Sequence, residues 1–308
     1  MKNILIIGAK GMLGQELVRC FADKAKYKLT AWDVEEIDIT DEKQVASKLA
    51  SFPVDVIFNA AAYNAVDKCE TDKAELAKAK KLNSLAPGYL AKAARKAGAI
   101  LVHYSTDYVF SGMPDIPEPE GCTGSCGSCS LHDGFIPELG FKESDIPEPV
   151  QNYGKTKLAG EDAVQKYGEK YYIIRLSKLF GKKALAEGAK RSFFDIMLEA
   201  GKNNTQVKAV DEETSCFTYA PDLANKSKEI VELEIPYGIY HVTNSGAATW
   251  YEAVAELYKQ AGIKTKIIPV GAEEFPRPAQ RPYVSTLINT KLMPLRSWQD
   301  ALGEYLKG

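Results

Sequence analysis

A doubly wound α/β fold, with helices on both faces of a parallel sheet and a smaller lobe after it, is what this 308-residue chain predicts. Three observations carry that reading. Through the first half, short β-branched apolar runs alternate with longer helical patterns, the signature of βαβ units. The first run passes directly into a glycine-rich turn, Gly8-Ala9-Lys10-Gly11-Met12-Leu13-Gly14. A carboxylate, Asp33, closes the second run 19 positions after Gly14. Strand, glycine turn, helix and strand-end acid in that order make the sheet Rossmann-like.

The elements follow in sequence. Ile4 to Ile7 is a continuous apolar run ended by Gly8, as expected of a strand buried on both faces. Leu13, Leu17, Val18 and Phe21 then recur at helical spacing. A second strand is expected near Lys28 to Trp32, and further ones at Val54–Asn59 and Ile100–Ser105, separated by an Ala- and Lys-rich helical stretch from about Asp72 to Ala97. Tyr153 to Tyr167 reads as a helix and Tyr172 to Phe180 as one more strand. Residues 1–175 therefore form the dinucleotide-binding domain. Residues 176–308 form mainly a substrate-binding lobe, with room for strands or helices that return to the first domain.

Residues 113–149 break the rhythm. They hold six of the fifteen prolines and eight acidic residues against one lysine, and they carry no hydrophobic periodicity, which marks a functional or disordered loop. Composition elsewhere is that of an ordinary globular protein, 45% hydrophobic and 26% charged, with a formal net charge of −2. That balance gives no electrostatic case for nucleic acid or an anionic membrane as partner. No apolar run reaches the length of a membrane span, and the N-terminal apolar run is too short for a signal peptide, so a cytoplasmic protein is expected.

Each motif has a bland reading beside the chemical one. Gly8, Gly11 and Gly14 let the backbone turn tightly and approach a pyrophosphate at a helix N-terminus, but such turns also occur without a ligand. Asp33 is placed to accept from ribose hydroxyls and to repel a 2′-phosphate, which favours NADH, whereas Lys10 could offset that repulsion and admit NADPH. Tyr153 and Lys157 form a YxxxK pair at i and i+4 on one helix face. An ammonium beside a phenol is expected to lower the phenol's pKa towards the range useful for acid–base work. On its own the pair could equally be a solvated face. Here it follows Tyr104-Ser105-Thr106-Asp107-Tyr108-Val109-Phe110, a strand that ends in hydroxyls on the ligand-binding edge of the sheet.

With those motifs in place, the chain resembles the dTDP-4-dehydrorhamnose reductase family of extended short-chain dehydrogenases over nearly its whole length. The matching runs include Asn59-Ala60-Ala61-Ala62-Tyr63, Asn83, Ser105 to Phe110 and Tyr153-Gly154-Lys155-Thr156-Lys157. Thr218-Tyr219-Ala220-Pro221-Asp222 and Pro278-Ala279-Gln280-Arg281-Pro282 continue the match. The resemblance implies that Tyr153 gives a proton to the C4 oxygen of a nucleotide-linked keto sugar as hydride arrives from NADPH or NADH. By the same resemblance Lys157 holds the nicotinamide ribose and lowers the tyrosine pKa, Thr106 bonds the carbonyl oxygen, and Asn83 helps orient the lysine. It assigns cofactor contacts to Gly11, Met12, Leu13, Asp33, Asp38, Ile39, Ala62, Tyr63 and Tyr104, and substrate contacts to Thr106 and Asp107. Arg281 is expected near the nucleotide or sugar, where a guanidinium suits phosphate, or else in a surface or interdomain ion pair. Relatives often dimerise, some with magnesium at the contact.

Three departures from the family pattern stand out. Arg175-Leu176-Ser177 is followed by Lys178 where the family carries a tryptophan in the substrate pocket, so Lys178 is itself a candidate substrate contact. The loop Asp211 to Thr218 has one extra residue and lacks the family's glycine and proline. Thr106 and Tyr153 are 47 positions apart, about twice the family spacing, and the added material carries Cys122, Cys126, Cys129 and His132. Three thiolates and an imidazole suit a structural zinc, the cysteine spacing also occurs at iron–sulfur clusters, and free thiols or an oxidative disulfide are the bland alternatives. If metal-stapled, the insert would overhang the mouth of the site. Rival functions are a reductase of another nucleotide sugar and a non-catalytic dinucleotide-binding regulatory subunit, the way the β subunit of methionine adenosyltransferase uses this fold. The intact Thr106, Tyr153 and Lys157 set argues against the latter.

Overall fold

The structure, a computed structural model, describes residues 1–114, 139–185 and 191–308. The chain opens with β1 (Lys2–Ile7), α1 (Met12–Cys20), β2 (Tyr27–Trp32), α2 (Glu42–Ala50) and β3 (Val56–Asn59). A broken helical stretch follows: α3 (Lys68–Thr71), α4 (Lys73–Ala79), a π-helical turn at Lys80–Leu85 and α5 (Ala86–Ala97). Next come β4 (Ile100–Thr106), α6 (Asn152–Tyr167), β5 (Tyr171–Leu176) and β6 (Leu179–Phe180). The remainder holds α7 (Phe193–Asn203), β7 (Gln206–Val210), β8 (Ser215–Cys216), β9 (Thr218–Tyr219), α8 (Ala220–Glu232), β10 (Gly238–His241), β11 (Ala247–Ala248), α9 (Trp250–Ala261), β12 (Lys266–Val270) and α10 (Trp298–Tyr305).

Six strands form one sheet in the order β10-β5-β4-β3-β1-β2, every neighbouring pair parallel. Because successive residues of a strand point to opposite faces, each strand supplies two cores. Ile4, Ile6, Val56, Phe58, Val102, Tyr172 and Ile174 pack under α1 and α8, against Leu13, Leu17, Leu223 and Ile230. Their neighbours Leu5, Ile7, Ile57, Leu101 and Ile173 pack on the other face against Val45 and Leu49 of α2, Leu90 and Ala94 of α5, and Val164 of α6. Burial of each such side chain contributes about 1.5–3 kcal/mol, which is why the runs read as uninterrupted apolar sequence. A third core, with Phe180, Phe194, Phe217, Leu257 and Trp298, holds the C-terminal lobe together.

Where the sequence suggested one strand at 172–180, there are two. The chain leaves the sheet after Leu176, passes Lys178 in the left-handed region at φ 36°, and pairs β6 with β9 instead. The apolar pattern runs through the break and so hides it. The helical stretch expected over 72–97 is also interrupted, by the π-helical turn, a feature that often marks a functional position.

Of the proline-rich stretch, residues 139–149 are packed. Phe141 stacks on Phe110 at 4.3 Å, and Glu143 accepts from His241 N and from the Thr290 hydroxyl. Cys122, Cys126, Cys129 and His132 lie outside the described residues. Among the described residues no group of three or more His, Cys, Asp or Glu is placed to hold a metal, and no helix is long and apolar enough to cross a membrane.

Candidate active site

The first wall of the site is backbone. Gly8, at φ 78°, turns the chain out of β1 against β3's exit, where any Cβ would meet Ala61 N at 2.7 Å. At Gly14 a Cβ would be driven into Gly8 O and the Ala9 backbone, so α1 must start tight against the turn. Gly11 caps α1 with no side-chain hydrogen bond, and its first turn, containing Met12, Leu13 and Gly14, holds no acid. The free N–H groups of that helix end are therefore open to an anion. Leu13 is buried in the core under the sheet.

Asp33, at the end of β2, accepts from Lys10 N and Val34 N, both at 2.9 Å. Lys10, the candidate to offset the repulsion of a 2′-phosphate, has its ammonium paired with Glu35. Asp38 accepts from Thr40 N and Oγ1, closing its own turn, while Ile39 is a core residue. Ala62 and Tyr63 follow β3, and Tyr63 N donates to Asn83 Oδ1 at 2.9 Å. Asn83 Nδ2 donates to Tyr63 O at 3.0 Å and to Thr156 Oγ1 at 3.2 Å. Among the hydrogen bonds of the described residues none joins Asn83 to Lys157; the π-helical turn aims its amide at the 62–63 loop and the start of α6, tying the two together.

The second wall is α6. Tyr153 and Lys157 face inward from its first turns, both buried. Lys157 Nζ donates to Tyr104 O at 2.5 Å. Tyr104 thus offers the site its carbonyl oxygen, while its ring packs in the core on the α1 side of the sheet. Burial pulls the Lys157 ammonium down to about 8, opposed by Glu161. The Tyr153 hydroxyl donates to Asn64 Oδ1 at 3.4 Å, and its ring meets Tyr108 edge-on at 6.2 Å. Its pKa is raised rather than lowered: burial pushes it up, then the Asp107 charge does the same, and a hydrogen bond from Thr106 pulls the other way. Loss of water is the largest cause, and the neighbouring lysine has its nitrogen directed to a carbonyl.

What fixes α6 to the sheet is a buried ion pair. Arg175 of β5 meets Glu161 of α6 through Nε at 3.0 Å and Nη2 at 2.6 Å, with its guanidinium 5.0 Å from the centre of the Phe110 ring. Neither side chain is more than 2% exposed, so each charge depends on the other.

The third wall was not visible in the sequence as a unit. Asp107 is buried; its Oδ1 lies 2.9 Å from Thr106 Oγ1, and its Oδ2 accepts from Ser177 Oγ and Ser285 Oγ, both at 2.7 Å. Thr106 Oγ1 also accepts from Tyr108 N at 3.2 Å. Asp107 is thus bonded to three protein hydroxyls. Lys178 has its amine shielded from solvent without a hydrogen-bond partner, 3.6 Å from the centre of the Trp250 ring and 5.2 Å from that of Phe217. Burial takes its ammonium down to about 7, against Asp107 and Glu213. Glu213 accepts from Trp250 Nε1 at 3.0 Å and pairs with Arg277. Arg281 pairs with Asp67 at 2.8 Å and donates to Ala279 O. Sequence reasoning missed Ser177, Glu213, Trp250, Arg277 and Ser285. They come from separate stretches, and only Ser177, beside Lys178, and Glu213, in the departing 211–218 loop, carried a local signal.

The chain matches the family model described as RmlD substrate binding domain over residues 1–308. The spore coat polysaccharide biosynthesis protein SpsK of Bacillus subtilis is 31% identical over 100% of this chain and 98% of its own length. A crystal structure of a dTDP-4-dehydrorhamnose reductase from Clostridium acetobutylicum superposes with a TM-score of 0.85 at 33% identity, covering 99% of this chain and 98% of that one. The Bacillus anthracis dTDP-4-dehydrorhamnose reductase, solved in complex with NADP, superposes at 0.84 and 29% identity, covering 100% and 99%. This chain belongs to the dTDP-4-dehydrorhamnose reductase family.

Proposed function

We propose that this protein reduces the 4-keto group of a nucleotide-linked 6-deoxysugar with NADPH or NADH, its substrate being dTDP-4-dehydro-L-rhamnose and its product dTDP-L-rhamnose, in the cytoplasm. The observation that carries the reading is the convergence of the Tyr153 and Thr106 hydroxyls and the Lys157 amine at the end of β4. The uncapped N-terminus of α1 opens on the same edge of the sheet. That helix end and the closely approached Gly8 fit a pyrophosphate, and Asp33 at the end of β2 fits the ribose. A reduced nicotinamide bound there supplies the hydride.

The chain's own residues do the rest. Tyr153, held protonated by burial, gives its proton to the C4 oxygen as that oxygen gains charge. Thr106 bonds the same oxygen, and Lys157 holds the ribose beside the phenol. Lys178, at the position where the family carries a tryptophan, and Trp250 beside it form the surface against which the sugar packs. This pairing of amine and indole favours a second reading, in which the same chemistry serves another nucleotide sugar.

The test is NADPH and NADH oxidation with dTDP-4-dehydro-L-rhamnose by wild type and Tyr153→Phe. Loss of the proton donor is expected to lower kcat by about two orders of magnitude or more. Turnover by the variant at the wild-type rate removes Tyr153 from the role. No turnover by a folded, cofactor-binding wild type moves the assignment to the other sugar.

A further inference from the structure

Lys178 has hydrogen-bond donors to give and no acceptor in the protein to take them. Among the described residues its amine is shut away from water and makes no hydrogen bond. A buried amine left in that state is costly, and the ordinary remedy is a carboxylate. Two carboxylates lie within reach of its charge, and both are engaged elsewhere. Asp107 accepts from the Thr106, Ser177 and Ser285 hydroxyls. Glu213 pairs with Arg277 and accepts from Trp250 Nε1.

The backbone puts the amine in this place. Lys178 sits at φ 36°, a left-handed conformation that a residue with a side chain seldom adopts. Thr218 clamps the turn from both sides: its hydroxyl donates to Ser177 O at 2.5 Å and its N–H to Lys178 O at 3.3 Å. The amine rests 3.6 Å from the centre of the Trp250 ring, whose orientation is set by the bond to Glu213. An aromatic face attracts a cation but offers it no lone pair. The N–H bonds, carried on a flexible four-carbon stem, are therefore free to turn to an acceptor that arrives.

The acceptor's place and charge follow from the neighbours. Ser177, the residue before Lys178, and Thr106 both donate to the one Asp107 carboxylate. In the proposed reduction Thr106 bonds the C4 oxygen, so Lys178 belongs beside a ring carbon next to C4. Of those two carbons in a 4-keto-6-deoxysugar, C3 carries a hydroxyl and C5 a methyl group. Only the hydroxyl accepts a hydrogen bond. A carboxylate brought to the amine would also face the Asp107 and Glu213 charges, whereas a neutral oxygen would not.

We propose that the Lys178 amine donates to the C3 hydroxyl oxygen of the sugar and makes the protein specific for nucleotide sugars that carry this hydroxyl. The contact rests on the proposed reduction at C4. Burial, which takes the ammonium down to about 7, accords with a group whose partner comes with the ligand, and the amine keeps N–H bonds to give in either charge state.

The experiment compares kcat/KM for dTDP-4-dehydro-L-rhamnose and its 3-deoxy and 2-deoxy analogues in wild type, Lys178→Met and Lys178→Gln. Wild type should favour the parent over the 3-deoxy sugar by about 10- to 100-fold and accept the 2-deoxy sugar within about threefold. In Lys178→Met the parent should fall to the level of the 3-deoxy sugar, and Lys178→Gln, which restores a donor, should recover part of the preference. A lysine that only props the pocket would lower all three sugars alike and leave their ratios standing, which overturns the proposal. A preference that follows the 2-hydroxyl overturns it too. Calorimetric titration of dTDP-L-rhamnose and its 3-deoxy counterpart onto the NADP+-loaded protein reads the same contact without turnover. If wild type reduces none of the sugars yet binds the 3-hydroxylated one about tenfold tighter, and Lys178→Met does not, the assigned reaction fails and the contact stands. Equal affinities in the wild type overturn the contact whatever the reaction.

Discussion

The two sides of the proposed site are built in opposite ways. On the proposed nucleotide side the groups are main chain: a glycine turn, an uncapped helix end and a strand-end carboxylate already satisfied by backbone N–H groups. On the proposed sugar side they are side chains, with Asp107, Glu213 and the Lys178 amine shut away from water among Phe217, Trp250 and Arg277. Backbone contacts depend on a few residues small enough to allow close approach. Buried charges depend on every neighbour being present, and each is a place where electrostatics can be tuned.

The comparison breaks first at Gly14. Gly14→Val places a branched side chain against Gly8 O, so α1 must move from its turn. NADPH affinity, read by fluorescence titration, should fall by about 100-fold or more, a few kcal/mol, through loss of the phosphate cradle. Retained affinity would mean that the nucleotide does not use this turn.

Glu161→Ala tests the tie between the two sides. It leaves Arg175 charged and buried beneath α6, which carries Tyr153 and Lys157. Denaturant unfolding should show a loss of about 3–5 kcal/mol. A loss below 1 kcal/mol would show that water reaches the guanidinium and that the pair does not fix the helix.

Lys178→Met sharpens the sugar side with the smallest effect, and in the stabilising direction. The wild-type amine is held at about 7 in the folded state against an ordinary 10.5, so folding forfeits a proton between those values and the wild type gains stability as pH rises through them. The variant has no such group. Its melting temperature should exceed the wild type's by roughly 2–8 °C near pH 7, the lost cation–π contact subtracting a little. The gap should narrow toward pH 10. A gap independent of pH would mean that the amine is solvated.

Legibility in the sequence follows the same division. Gly8, Gly14, Asp33, Tyr153 and Lys157 could be read because each lies at a fixed spacing within one βα unit or one helix, where local geometry decides. The strand break at Lys178 could not, because Leu176, Leu179 and Phe180 keep the apolar pattern going across it. The Asp107 cage could not either: Ser177 and Ser285 are 70 and 178 positions away. The direction of the Tyr153 shift depends on how much water its hydroxyl loses, a property of the assembled fold and not of the YxxxK spacing.

The sixth strand of the sheet has a consequence in time. β10, residues 238–241, lies beside β5, and α8 closes the core under β1, so the dinucleotide fold is completed by segments made more than 200 residues after its first strand. During synthesis, Ile4, Ile6 and Phe58 have only the α1 side chains over them on that face while the chain emerges, the circumstance in which nascent proteins recruit chaperones or aggregate. A chain cut short before residue 220 would keep its glycine turn, Tyr153 and Lys157, and still be unable to bury the sheet they stand on.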